Sequence, residues 1–178
     1  MSREFAKLLA PLSRRLRLMA SRAVLSLVSD ATGMQIVQVK LLNGEVRDGI
    51  ERVQNYGFTS VPHAGAEAIF LSLGGDRDHG IVITADDRRY RINGLQGGEV
   101  AIYTDEGDKI VLKRGNVIEI TAATKIRMVT PLLEVTGEVR DRCDADGMTM
   151  EGMRQIYNTH NHPENDAGGP TDQPNQQM

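Results

Sequence analysis

Three observations predict an all-β fold for most of this 178-residue chain. Short runs of alternating apolar and polar residues lie between glycine and proline breaks, later β-branched pairs recur at even spacing, and no long helical period separates them. The length suits one ordinary domain or one domain with an appendage. Aromatics at 4%, no Trp and 18 glycines are lean for one compact globule and suit many turns or an extended element. The single cysteine, Cys143, cannot close an intrachain disulfide, which points to folding in a reducing cytosol.

Residues 1–30 stand apart by charge. Six basic residues against two acids give this segment +4, and the total of −3 leaves −7 for everything after it. The element predicted here is an amphipathic helix with Leu8, Leu12, Leu16, Met19 and Ala23 on one face, docking on the body or on a partner. Membrane-surface binding and a cleaved leader are the other readings of so Arg-rich a start. It does not read as a secretory signal, because charges break its apolar runs and nothing reaches the roughly 18 apolar residues of a membrane span.

Residues 31–100 carry five predicted strands: QIVQVKLL, RVQNYGF, AIFLSLG, HGIVITA and RYRING. Breaks fall at Asn43-Gly44, Val61-Pro62, Gly74-Gly75 and Asn93-Gly94. Five or six strands in this space, with no helices between them, favour a compact antiparallel barrel of the OB type. Over 101–155 a weak repeat follows, Ile110/Leu112, Ile118/Ile120, Ile126/Met128 and Leu133/Val135, starting at steps of eight, eight and seven. Each pair shares one strand face, with Val111, Glu119, Arg127 and Glu134 opposite. A rung this narrow cannot bury its own apolar side, so three copies are expected to intertwine around a common axis with the stripe inside.

Residues 156–178 hold His160 and His162, in the stretch NTHNHPEND. On an extended segment residues i and i+2 face the same way, so three chains meeting on an axis would bring six imidazoles together. Imidazole suits iron, zinc, nickel and copper, and a closed shell of six nitrogens favours Fe(II) or Ni over tetrahedral zinc. The bland alternative is two solvated histidines in a polar tail.

A metal-dependent hydrolase using the HxHP stretch is the competing functional reading. The literal HNH string does not support it, because HNH nucleases scatter those residues through a ββα unit. In the H-x-H-(x7)-S-(x2)-D zinc pattern of JAMM-type deubiquitinases, the serine position here is Pro170 and the aspartate position is Gln173. Asp172 misses by one residue. His63 and His79 flank glycine turns and are expected at the surface, and GDRDHG lacks EF-hand spacing. No G-x-G-x-x-G or Walker lysine supports nucleotide binding. A nucleic-acid-binding barrel needs a basic, aromatic-rich face, yet acids are at least as frequent as bases from Met34 to Tyr103, so no nucleic-acid partner is expected.

The stretch from NYGFTSVPHAGAEAIF to DDRRYR, then LQGGEVAIYTDEGDKIVLKRGN, then the H-x-H followed by GGPTDQP, closely resembles the baseplate assembly protein V, or central spike, family of contractile-tailed phages. The Mu-like branch fits best, from about Ser29 to Pro174. The resemblance implies a homotrimer with an N-terminal hub segment, an OB-fold domain, and a triple-stranded β-helix whose sharp apex pierces the host outer membrane. It implies an axial iron ion held by six histidines, mapping onto His160 and His162, and further calcium and chloride ions for which no ligands are assigned. It also implies a structural protein without catalytic residues, made in the host cytoplasm and placed at the virion tail tip, in contact with other baseplate and tail hub proteins.

Overall fold

The computed structural model describes residues 3–31, 33–163, 168–174 and 176–178. The chain divides into two compact units, Met1–Lys125 and Ile126–Met178. The first begins with helix α1 (Arg3–Leu18), on which Leu9, Leu12 and Leu16 are exposed. Leu8, expected on the same face as Leu12 and Leu16, lies outside the described side chains. The helix stops short of its predicted extent. Residues 20–29 form strand β1 (Ala20–Ser29) instead, and Ala23 is buried in a barrel core. The physical reason is tertiary: Ala23 and Leu25, two apart, both point into the barrel core, and the strand pairs with β2 on one side and β4 on the other. The segment expected over 1–30 is therefore two elements, and the barrel begins before residue 31.

The other barrel strands are β2 (Gln35–Lys40), β3 (Val46–Arg52), β4 (Glu67–Ser72) and β5 (Gly80–Asp86). They close in the order β1-β2-β3-β5-β4, with β3 and β5 parallel and the remaining pairs antiparallel. Alternation puts Leu25, Val37, Val39, Phe70 and Val82 wholly inside. Gly80 is needed at one point of this packing, because a Cβ there would fall 2.0 Å from the Phe70 ring. Two predicted strands are corrected. RVQNYGF contributes only its first residue, and RYRING forms no strand.

The loop after β3 is tied down by a buried polar cluster. Arg52 Nη1 donates to Gln35 Oε1 (2.7 Å) and to the Ser60 carbonyl (2.8 Å), while Gln35 Nε2 donates to Asp30 Oδ1 (2.8 Å). Burial lowers the Arg52 pKa from its usual value, and the Asp30 carboxylate opposes that shift. The hydrogen bonds are what make an inward-facing arginine tolerable.

After the barrel, β6 (Val100–Tyr103), β7 (Lys109–Lys113) and β8 (Val117–Thr121) form an antiparallel three-stranded sheet. Glu99, just before β6, accepts the N–H groups of Gln96 (2.9 Å) and Arg114 (3.1 Å), which hold its carboxyl below the ordinary range. In the second unit α2 (Met150–Thr159) is the one named helix or strand among the described residues. Thr149 caps it by accepting the Gly152 N–H at 3.0 Å, and Glu151 sits in the first turn where the helix dipole favours an acid. The boundary expected at residue 155 thus falls inside a helix, and residues 150–155 are not β rungs.

Candidate functional site

Two features of the chain are chemically unfinished. The first is the β6-β7-β8 sheet. Ile102 lies opposite Ile110, which lies opposite Ile120, and Val100 lies opposite Leu112, which lies opposite Ile118. Register therefore gathers six aliphatic side chains on one face, each between 38 and 67% exposed. On the other face Val111 is buried, and Glu119 accepts from Lys113 Nζ at 2.6 Å, which lowers the Glu119 pKa. The sequence pairs Ile110/Leu112 and Ile118/Ile120 are thus brought together. Ile126, Met128, Leu133 and Val135 are exposed and lie in no strand.

Sequence reasoning missed the contribution of β6 to this face. The signal was available in the alternation of EVAIY, where Val100 and Ile102 stand two apart. It also missed a helical stripe on α2, where Met150, Met153 and Ile156 are spaced by three and exposed.

The second feature is the histidine pair. His160 is the residue at which α2 ends, with extended backbone (φ −70°, ψ 149°), so His162 two residues on can share its side. The two ring centroids lie 5.2 Å apart with nearly perpendicular planes. His160 Nδ1 is 2.6 Å from the Tyr157 carbonyl. A carbonyl only accepts, so Nδ1 is the donor in this contact, which in a neutral imidazole leaves the lone pair on Nε2. A neutral imidazole oriented by a backbone carbonyl is the usual preparation of a metal ligand, and metal–nitrogen bonds of about 2.1 Å allow rings this close to reach one ion. The pair fits a transition metal in chemistry and spacing, but supplies two donors per chain. Among the described residues no group of three or more His, Cys, Asp or Glu in one chain is placed so as to hold a metal ion. Glu164 and Asp166, the acids that follow in NTHNHPEND, lie outside the described residues.

The remaining histidines are occupied or peripheral. His63 Nε2 pairs with Asp105 Oδ2 at 2.9 Å, and its ring packs 5.3 Å from that of Tyr90. His79 is exposed in the turn before β5.

Residues 22–89 match the family described as Bacteriophage Mu Gp45, N-terminal, a stretch that takes in most of β1 and all the other barrel strands. The chain is 39% identical to the baseplate puncturing device gp45 of Escherichia phage Mu, over 84% of this chain and 78% of that protein. It is 41% identical to the Mu-like prophage FluMu protein gp45 of Haemophilus influenzae, over 85% and 78%. With identity at this level across most of both partners in each comparison, the chain belongs to the bacteriophage Mu gp45 family.

Proposed function

We infer that this protein is the central spike of a Mu-like phage tail, a structural component of the baseplate tip that punctures the host outer membrane during contraction. The observation that carries this is its relationship to a baseplate puncturing device, together with an apolar sheet face that one chain leaves open. Three copies covering one another's β6-β7-β8 faces would bury Ile102, Ile110 and Ile120 around an axis and continue downstream as an intertwined β-helix. A needle of this kind works by stiffness, which interchain hydrogen bonding supplies, and needs no catalytic residue. The closed barrel is read as the OB-type domain of the family, and α1, with its open Leu9, Leu12 and Leu16, as the attachment to other baseplate or hub proteins.

His160 and His162 are the ligands we assign at the apex, six from three chains. A bound metal, iron in this reading, would supply direct bonds joining the chains where no apolar rung remains. Calcium and chloride ions elsewhere on the axis belong to the same proposal, without assigned ligands. The hydrolase alternative has no observation in its favour.

The test is a mass and a metal ratio. Light scattering should give three times 19.6 kDa, and elemental analysis one iron per three chains. His160→Ala with His162→Ala should remove the metal and leave the trimer. A folded monomer would defeat the architecture, and one metal per chain would point to a site complete in each subunit.

A further inference from the structure

The metal reading leaves open what fixes His162, which lies beyond the end of α2 and outside any strand. His160 is held by the helix: its N–H donates to the Ile156 carbonyl at 3.0 Å, and its ring is tied to the Tyr157 carbonyl. His162 is held from elsewhere. Its N–H donates to Thr171 Oγ1 at 2.8 Å, and its carbonyl accepts the Thr171 N–H at 2.9 Å. One residue, nine positions on, therefore satisfies both backbone groups of His162. A second tie lies farther along the same return segment, where the Asn158 side chain accepts the Met178 N–H at 2.9 Å and donates to the Met178 carbonyl at 3.3 Å. Both ties are reciprocal and join α2 or the residues just after it to the returning chain.

We propose that Thr171 is a positioning residue for the metal ligand His162, with the Asn158–Met178 tie as a second brace of the apex. The proposal rests on the assignment of His160 and His162 as ligands. A ligand must be held to within about 0.5 Å of its productive position, and a free backbone on either side of His162 would not hold it. Thr171 removes that freedom by fixing the two peptide groups that flank the His162 Cα. Threonine suits the task because its β-branched side chain has few χ1 options, which keeps the hydroxyl where the His162 N–H points. His160 and His162 thus depend on different supports, and Thr171 acts on one alone.

The test compares the full-length protein with Thr171→Val, which keeps the shape and loses the acceptor, and Thr171→Ser, which keeps the acceptor. Ferrous iron affinity, measured by chelator competition, should fall roughly 10–100-fold in the valine variant and return close to wild type in the serine variant. Hydrogen exchange of the His162 amide in metal-stripped protein should quicken in the valine variant only, and light scattering should be the same for all three. Unchanged affinity in the valine variant would overturn the proposal, as would loss of the trimer, since Thr171 would then serve assembly. Wild-type protein that binds no iron while keeping a protected His162 amide would defeat the ligand assignment itself, and with it the positioning role.

Discussion

The barrel and the three-stranded sheet that follows it are built from the same kinds of residue and end in opposite states. In the barrel, Val37, Val39, Phe70 and Val82 have no solvent exposure, because closure lets every strand point its apolar residues at the others. In the sheet, six aliphatics of similar size stand on an uncovered face. The difference lies in closure rather than composition. A barrel makes its own second layer, whereas a flat sheet of three short strands must be given one. Isolated apolar residues on a surface are ordinary, but a contiguous face of six is the mark of a binding partner.

The largest effect is expected at Ile120. Ile120→Asp would place a charge on the open face, and three like charges near the axis of the proposed trimer. Light scattering should fall from the three chains of the proposed trimer to one while far-UV circular dichroism keeps the barrel signal. If the barrel signal disappears too, the regions are not independent. Glu119→Lys, on the opposite face, should leave assembly intact.

Truncation probes the other side of the contrast. Removing residues 1–18 takes away α1 and should leave the barrel folded, as judged by cooperative thermal unfolding. Removal through residue 28 also takes most of β1, which is hydrogen-bonded to both β2 and β4, and should abolish that transition. Survival of the barrel without β1 would show that its closure is dispensable. A smaller effect is expected from Phe70→Ala, which should cost the barrel about 3–5 kcal/mol in denaturant unfolding while the chains still associate.

The smallest effect concerns pH. Two backbone N–H groups hold the Glu99 carboxyl below its ordinary value. The folded form therefore binds that proton less readily than the unfolded chain, and Glu99 contributes stability above the unfolded pKa that is lost as pH falls through the lowered folded value. Glu99→Gln should flatten the acid limb of a plot of melting temperature against pH, with little change at neutrality. An unchanged acid limb would mean that the contacts of Glu99 are equally available in the unfolded chain.

Legibility in the sequence followed pattern strength. QIVQVK, EAIFLS and the strand beginning at Gly80 alternate cleanly, and the expected strands overlap those found. β1 was obscured because Ala23 follows Met19 by four, so a helical period could be carried from α1 into a segment that also alternates. β3 was obscured for a different reason. In VRDGIER only Ile50 and Arg52 are buried, and no hydropathy pattern marks an arginine that is inside because Gln35 and Ser60 receive its hydrogen bonds. At the histidines, spacing alone pointed to two rings on one side. The helix leading into them is signalled by Thr149, Glu151 and the Met150/Met153/Ile156 period, yet it straddles the boundary expected at 155 between the β element and the apex. The tie between His162 and Thr171 spans nine residues without any periodic signal, because it depends on where the chain returns and not on local pattern.

The meander of β6, β7 and β8 also has a bearing on the newly made chain. Its outer strands, β6 and β8, each pair on one side only, while the barrel has no unpaired strand at all. Before assembly, every copy thus offers two open edges beside an apolar face, the combination that templates disordered β-aggregates. Orderly association and misassembly would then compete for the same surface, and both accelerate with concentration. If the proposed trimer forms through this face, yield in a producing cell would be governed by how quickly three copies find one another: slow, dilute accumulation leaves the edges waiting, and abrupt overproduction lets the wrong partners arrive first.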